Sequence, residues 1–429
     1  MTGNRIVATV SHPDLPSAPA SDADPAADWA DSGLVALTGR PEGPPLVPPG
    51  RAATVARGLT ARIADLSVGR VRLDGARLLS ERVAFTGGGR QGQVSVGGSC
   101  RLLPTADGWA ALSCARPDDV LLIGALVERE LPAADPWPAV AGWLRDHTGA
   151  QLEERAALLG VAAAPVHHPT RWITAPAPLP PRDVTGLLVV DFSALWAGPL
   201  CAHLLGLAGA RVVKVETPSR ADGARYGDPR FYRLLHAGHR SVVLDPATRA
   251  GRSAMAALVR AADIVIEASR PRALAGFGLD AGAAVADGST WVSITAAGRA
   301  SDRVGFGDDV AAASGLVAWA DPGTPVFVGD AIADPLTGLT AAALAMTAPA
   351  DGRGVLWDVA MADVVAATLD RNPVIPSPAA VRSTGGWAVE TERGAVPVAV
   401  PALRVPQGDA PETGADTAAV LGELGIPRP

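Results

Sequence analysis

The sequence predicts an α/β fold with a Rossmann-like parallel sheet and a separate small α+β domain. The first observation is an apolar run at 187–190 that ends in Asp191, followed by a helix-like apolar pattern and a second apolar run at 212–215. Short apolar runs separated by a helix are typical of the strand–helix–strand unit of a doubly wound sheet. The second observation is Gly209, which breaks the helix pattern just before the second run. The unit therefore opens the predicted sheet domain.

The turn inside this unit favours a ligand site. Gly198 lets a ligand backbone or phosphate come close to the chain, and Pro199 suits the first turn of a helix. The unit contains no G-x-G-x-x-G pattern, so a dinucleotide-binding interpretation has no support.

Length, composition and charge exclude several classes of protein. The 429 residues are enough for two or three domains, and 48% of them are apolar while only 4% are aromatic. A net charge of −7 argues against nucleic acid or an anionic membrane as a partner. The three cysteines have no disulfide or metal spacing, and no apolar run approaches membrane-spanning length. We therefore expect a soluble, cytoplasmic protein without a bound metal.

Two short phrases occur twice in the chain. SGLVA occurs at 32–36 and again at 314–318, and GLTA occurs at 58–61 and again at 338–341. The repeats come in the same order with nearly the same offset, which indicates an internal duplication. Chance matches in an Ala-rich chain are the alternative.

Three longer phrases follow one another between 189 and 279. They are VVDFSALWAGPLCAHLLGLAGARVVKVE, HRSVVLD and ADIVIEASRPRALAGFGL. In wording and order they resemble the class III coenzyme A transferase family, also called the L-carnitine dehydratase/bile-acid-inducible protein F family. The resemblance implies an enzyme that moves coenzyme A (CoA) between an acyl-CoA and a small carboxylic acid through an aspartyl intermediate. It also implies CoA as a substrate, no permanently bound cofactor, and a homodimer of interlocked rings.

The repeats and the resemblance together predict the domain organisation. The segment at 30–50 resembles the part that follows the nucleotide-binding unit in family members, whereas 101–120 and 144–166 resemble the small domain of the family. The chain thus resembles a fusion of a truncated first copy and a partial second copy. We predict a flexible arm at 1–25, a partial first copy at 26–90, a small domain at 91–166, a Pro-rich linker at 167–182, a Rossmann-like CoA-binding domain at 183–370, and a C-terminal segment at 371–429 that packs on it.

The resemblance implies a catalytic aspartate in a phrase like TG-x-x-DGPP. The first copy has LTGRPEGPP, with Glu42 at that position, and the second copy has WADPGTPV, with Asp321 available. A longer side chain moves the carboxylate by about one methylene, which disturbs attack geometry, so we favour Asp321. Its alternative interpretation is an ordinary turn residue, since D-P-G is strong turn chemistry.

Asp308 and Asp309 form a second candidate pair. In racemase-like members of the family, an aspartate at a similar distance before the SG phrase acts as an acid or base, so Asp308 is also a catalytic candidate. Either carboxylate could instead cap a helix start. The racemase pattern also requires a histidine shortly upstream, and 280–304 contains none. An acyl-CoA racemase and a non-catalytic CoA-binding homologue therefore stay as alternatives to the CoA transferase.

The resemblance also implies contacts with CoA. Arg220 and Arg272 lie close to where the family uses basic residues for phosphates. Gly329-Asp330, followed by Asp334, resembles a structural turn of the family, and the glycines at 87–89 resemble an active-site cover. The implied CoA-binding residues are Ala194, Leu195, Trp196, Gly198, Arg220, Leu244, Ala268, Ser269 and Arg272.

Overall fold

A computed structural model describes residues 23–167, 179–269 and 271–429. Most of the predicted arm at 1–25 and of the predicted linker at 167–182 lies outside these residues. The described chain begins with a set of helices, the first of which is capped by the carboxylate of Asp24. These helices are α1 Pro25–Asp31, α2 Ala52–Leu66, α3 Gly75–Leu78 and α4 Glu81–Thr86.

A small α+β unit follows. The unit consists of an antiparallel sheet with the strand order β1-β2-β3 and of three helices. Sheet and helices share one apolar cluster, which includes Leu112, Ile123, Val140 and Leu152. The elements are β1 Cys100–Pro104, β2 Trp109–Ser113, α5 Asp119–Leu126, α6 Trp137–Arg145, α7 Gly149–Leu159 and β3 Ala163–Pro165.

The central sheet has six parallel strands in the order β11-β8-β7-β4-β5-β6. Val189 pairs with Val212 in parallel register, so the strand–helix–strand unit predicted from the sequence is confirmed. The first strand of this sheet in chain order, β4, lies in the middle of the sheet. This arrangement creates a switch point between β4 and β7, where ligands bind in such folds. The strands and the hairpin β9–β10 are β4 Leu188–Asp191, β5 Arg211–Glu216, β6 Arg240–Val243, β7 Ile264–Glu267, β8 Thr290–Thr295, β9 Val317–Asp321, β10 Thr324–Phe327 and β11 Val355–Ala360.

Helices cover both faces of the sheet. On one face Leu200 and Leu339 share a core with Leu59 of the N-terminal helix α2, and on the other face Leu258 shares a core with Leu421. The helices are α8 Ala197–Leu207, α9 Pro229–His236, α10 Arg249–Ala261, α11 Pro271–Gly276, α12 Ala281–Ala286, α13 Gly307–Ala313, α14 Ala333–Ala345 and α15 Met361–Ala366.

The C-terminal part adds an antiparallel sheet in the order β12-β13-β14 and a last helix. These elements are β12 Val381–Ser383, β13 Gly386–Thr391, β14 Gly394–Pro397 and α16 Thr417–Glu423. Helix α2 packs against α14, so the helices that carry the two copies of GLTA are neighbours. The duplication itself stays a prediction. None of the helices in the described ranges is both long and apolar enough to cross a membrane.

Candidate active site

A cavity of about 440 Å³ opens at the carboxyl edge of the central sheet, beside the loop that follows β4. This volume lies in the range of small-molecule sites. One wall comes from the sheet domain and the other from helix α4 and the glycines after it. The wall residues include Arg82, Thr86, Gly87, Gly97, Leu195, Trp196, Asp228, Phe231 and Asp330.

The loop between β4 and α8 is held in one conformation. Asp191, at the end of β4, accepts a hydrogen bond from the Ser193 amide at 2.8 Å. Leu195 has φ +70°, which is unusual for a residue with a side chain, and its amide donates to Asp222 at 2.9 Å. A Cβ on Gly198 would lie 2.1 Å from the Cβ of Ser193. The first turn of α8 can therefore reach this position only with glycine.

Lys214, the only lysine of the chain, lies beneath this loop. Its Nζ is 2.8 Å from Oδ2 of Asp222 and 3.7 Å from Oδ2 of Asp191, and it also donates to the Ser193 carbonyl. Burial alone would lower the pKa of Lys214, but the two carboxylates raise it overall. The lysine therefore stays charged and joins the loop to the sheet.

Arg82 and Asp330 form a bidentate ion pair in the cavity wall. Nε of Arg82 donates to Oδ2 of Asp330 at 2.7 Å and Nη2 donates to Oδ1 at 2.5 Å. The Asp330 side chain is only 2% exposed, and the guanidinium lies 5.1 Å from the ring centre of Trp196. Burial alone would lower the pKa of Arg82, but the charge of Asp330 raises it above its usual range. Arg82 is therefore a fixed cation beside the carboxylate.

Two further carboxylates lie behind this pair. Asp308 accepts a hydrogen bond from the Ala331 amide at 2.7 Å. Burial, followed by the charge of Asp330, raises the pKa of Asp308 to about 7. Burial also raises the pKa of Asp334 to about 6. Both groups therefore exchange protons near neutral pH.

Asp309, unlike its neighbour Asp308, caps a helix. Its carboxylate accepts from the Phe306 amide at 2.9 Å, at the start of α13, and from the Ser113 hydroxyl at 2.7 Å. The sequence analysis considered helix capping and acid–base catalysis for this acidic pair, and Asp309 is the residue that caps the helix. Asp308 instead faces the Arg82–Asp330 pair.

The residues implied to bind CoA all lie at the carboxyl edge of the sheet. Leu195 and Trp196 line the cavity, Ala194 is exposed beside them, and Gly198 is buried in the first turn of α8. The others follow β5, β6 and β7. Arg220 is exposed, Leu244 is buried, Ala268 is exposed, Ser269 has a buried hydroxyl without a hydrogen-bond partner among the described residues, and Arg272 pairs with Asp302 at 3.0 Å.

Asp321 is not brought to this cavity. It is the last residue of β9, its side chain is 56% exposed, and it pairs with Arg40. The turn interpretation of Asp321 therefore fits its position, because β9 continues into the hairpin with Thr324 opposite it. Glu42 is likewise exposed in a loop.

The sequence analysis did not name Arg82, and it gave Asp330 only a structural role, although both residues line the cavity. Asp330 follows Gly329, which has φ +65° and packs so closely that a Cβ would lie 2.3 Å from Cδ2 of Leu34. That tight turn is the structural role expected for this phrase, and it also directs the next side chain into the cavity wall. The Gly-Asp phrase was thus the available signal. In the described ranges, no group of histidine, cysteine, aspartate or glutamate side chains is suited to a metal ion.

A parallel sheet with its ligand loops at the carboxyl edge defines a Rossmann-like class of ligand-binding protein. Within that class, residues 184–391 match the family described as CoA-transferase family III. The resemblance stated from the sequence is therefore confirmed for this part of the chain.

Curated relatives cover the same part of the chain. The chain is 32% identical to succinate–glutarate CoA-transferase of Agrobacterium fabrum over 210 residues, which cover 43% of this chain and 52% of the relative. It is 34% identical to formyl-CoA:oxalate CoA-transferase of Escherichia coli over 96 residues, which cover 21% of this chain and 23% of the relative. The chain thus spans about half the length, or less, of these relatives.

Solved structures with detectable likeness include a CAIB/BAIF family protein from Brucella suis. It is 24% identical, with a TM-score of 0.43 over 58% of this chain and 83% of that chain. A hypothetical protein from Mycobacterium tuberculosis is 28% identical, with a TM-score of 0.40 over 44% of this chain and 56% of that chain.

Proposed function

We propose that the protein is a CoA transferase that moves CoA from an acyl-CoA to a small carboxylic acid, with Asp330 as the nucleophile. The observation that carries the proposal is the position of the Asp330 carboxylate in the cavity wall, next to Trp196 and Leu195. The other acidic wall residue, Asp228, caps α9 and pairs with the exposed Arg230. Asp330 is therefore the carboxylate best placed for chemistry.

The reaction divides one exchange into steps of the same kind. The Asp330 carboxylate attacks the acyl carbon of the thioester, so that a C–O bond forms and CoA leaves as a thiolate. The thiolate then attacks the Asp330 carbonyl carbon, giving an aspartyl thioester and the free acid. A second acid carboxylate attacks that thioester and releases the thiolate, which finally takes the new acyl group and restores Asp330. No net proton or electron is needed.

The sheet edge offers groups for the rest of CoA. We place the nucleotide along the loops after β4, β5, β6 and β7, with the exposed Arg220 and Arg272 near its phosphates. Because the whole chain carries a net charge of −7, an anionic ligand needs such local cations. The implied homodimer is part of the same proposal.

A racemase-like activity is the second candidate, because Asp308 is buried next to the Arg82–Asp330 pair and this burial raises its pKa to about 7, which suits an acid or base. Such an activity also needs a partner group that exchanges a proton on the opposite side of the substrate. The charged groups that act on Asp308 are Asp330, Arg82 and Asp309. Arg82 is paired and Asp309 caps α13, so the transferase stays the leading proposal.

The two activities are separated by one assay with two readouts. Purified protein is incubated with an acyl-CoA, a panel of free acids and D₂O, and the products are measured by mass spectrometry. New acyl-CoA species support the transferase, and a covalent CoA adduct on the peptide that carries Asp330 names the nucleophile. Deuterium at the acyl α-carbon without CoA transfer would support the racemase instead.

A further inference from the structure

Arg82 uses only one edge of its guanidinium for Asp330. Nε and Nη2 donate to the two carboxylate oxygens, whereas no described residue accepts a hydrogen bond from Nη1. A guanidinium has five N–H donors in a rigid fork and can bind one carboxylate along each of two edges. The edge formed by Nη1 and Nη2 therefore keeps its donors unused in the wall of the cavity.

Arg82 lines a cavity that can hold a ligand, and Gly97 lines it as well. A Cβ on Gly97 would be in van der Waals contact with Nη2 of Arg82, at 3.7 Å, and with Oδ1 of Asp330, at 3.9 Å, so the glycine keeps side-chain atoms away from this edge. The Arg82 side chain is 29% exposed, in contrast to 2% for Asp330. Both side chains line the cavity, and that of Arg82 is the more exposed of the two.

We propose that Arg82 binds the carboxylate of the acid substrate, and that it does so once Asp330 carries CoA. The inference rests on the proposed transferase function and assigns the group that recognises its acid. In the free protein the charge of Asp330 neutralises Arg82. In the aspartyl thioester the Asp330 oxygen bears no charge, so the guanidinium of Arg82 loses the only carboxylate among the described residues that accepts its hydrogen bonds.

The incoming acid supplies that missing charge. A carboxylate bound by Nη1 and Nη2 lies next to the Asp330 carbonyl carbon, which is the atom it attacks. The attack forms a C–O bond, breaks the C–S bond and expels the CoA thiolate. When the acid later leaves as acyl-CoA, the Asp330 carboxylate returns to Arg82. The ligand class is therefore a small aliphatic carboxylate that fits beside the acyl end of CoA.

The proposal is tested by binding, without turnover. Asp330→Asn imitates the uncharged state of the intermediate with little change in shape. Calorimetric titration with sodium glutarate should show at least tenfold tighter binding to Asp330→Asn than to the wild type, because a charge-assisted pair becomes available. Adding Arg82→Gln should remove the gain. Glutaramide, which lacks the charge, should bind none of these variants.

Arg404→Gln in the Asp330→Asn background is the matched control. Arg404 also forms a buried bidentate pair, with Glu81 at 2.6 and 2.9 Å, but it does not line the cavity. Glutarate affinity should be kept in this control and lost with Arg82→Gln. Thermal unfolding checks that each variant is folded, and Asp330→Ser replaces Asp330→Asn if the latter is not.

Two outcomes overturn the inference. In the first, the variant with a neutral residue at position 330 binds glutarate no more tightly than the wild type. In the second, that variant binds glutarate more tightly but keeps the gain when Arg82→Gln is added. Turnover by the wild type together with either outcome leaves the proposed function standing without this inference. A gain that depends on Arg82, in a protein that transfers no CoA, supports the carboxylate site and contradicts the proposed function.

Discussion

Two aspartate–arginine pairs join the N-terminal segment to the second half of the chain, and they differ mainly in burial. Arg40 pairs with Asp321 at the surface, where the side chains are 51% and 56% exposed. Arg82 pairs with Asp330 in the cavity wall, where the exposures are 29% and 2%. The same two residue types therefore meet in two different dielectric environments.

The contrast shows that a short motif can point to a carboxylate that lies outside the cavity. Asp321 was favoured because its phrase resembles the family's aspartate phrase, yet its side chain is 56% exposed and paired with Arg40, so that solvent and salt screen its charge. Asp330 follows a phrase that resembles a turn, yet the fold buries it beside a cation, an aromatic ring and two more carboxylates. Because carboxylates at functional sites are commonly buried beside charged partners, the proposal for Asp330 rests on its environment and not on the residues next to it in the sequence.

The largest expected effect is on turnover. Asp330→Asn should lower CoA transfer by at least about 10³-fold, because removing a nucleophile leaves only binding effects. Asp321→Asn should keep transfer within about twofold of the wild type. Both variants should bind CoA as the wild type does in calorimetric titration. An active Asp330→Asn beside an inactive Asp321→Asn would falsify the assignment and return the chemistry to the hairpin.

The second effect is on the free energy of unfolding. Arg82→Gln leaves the buried Asp330 without its counter-charge and should cost about 3 kcal/mol. Arg40→Gln removes an exposed pair and should cost about 0–1 kcal/mol. Urea unfolding of the two variants beside the wild type measures the difference. Equal losses would mean that the Arg82–Asp330 pair is solvated in solution.

The third effect concerns pH. Because the folded-state pKa of Asp308 is raised to about 7, the folded protein holds this proton more tightly than the unfolded chain, and stability falls as pH rises from about 4 to about 7. Asp308→Asn should remove this loss and gain on the order of a few kcal/mol over the wild type at pH 8, with no gain at pH 4. Asp334→Asn should act about one pH unit lower, since its pKa is about 6. The free energy of unfolding is measured for the wild type and both variants between pH 4 and pH 8. If it changes with pH in the same way in all three proteins, the pH dependence does not come from these two carboxylates.

The smallest effect is expected at Glu42. Glu42→Ala changes an exposed loop residue away from the cavity. The free energy of unfolding should therefore stay within about 0.5 kcal/mol of the wild type, and turnover should stay within about twofold. Turnover is compared at saturating acyl-CoA. A loss of more than tenfold would show that the LTGRPEGPP segment takes part in the reaction.

The sheet was predictable because its signals are local. Apolar runs, a glycine break and the Gly198-Pro199 turn each occupy a few neighbouring residues, and the parallel pairing of β4 with β5 follows from them. The Arg82–Asp330 pair in the cavity wall could not be predicted from such local signals. Arg82 and Asp330 are separated by 248 residues, and neither lies in a phrase that marks a pair. Only the packing of the N-terminal helices against the sheet domain brings them together.

The buried lysine beneath the loop has a consequence for labelling chemistry. Lys214 is the only side-chain amine of the sequence, and in the fold it is 2% exposed. Reactive acyl compounds modify uncharged, accessible amines, and this one is charged and covered. The folded surface therefore presents no lysine to acylating or crosslinking reagents. The rate at which Lys214 is modified then reports how often the loop between β4 and α8 opens.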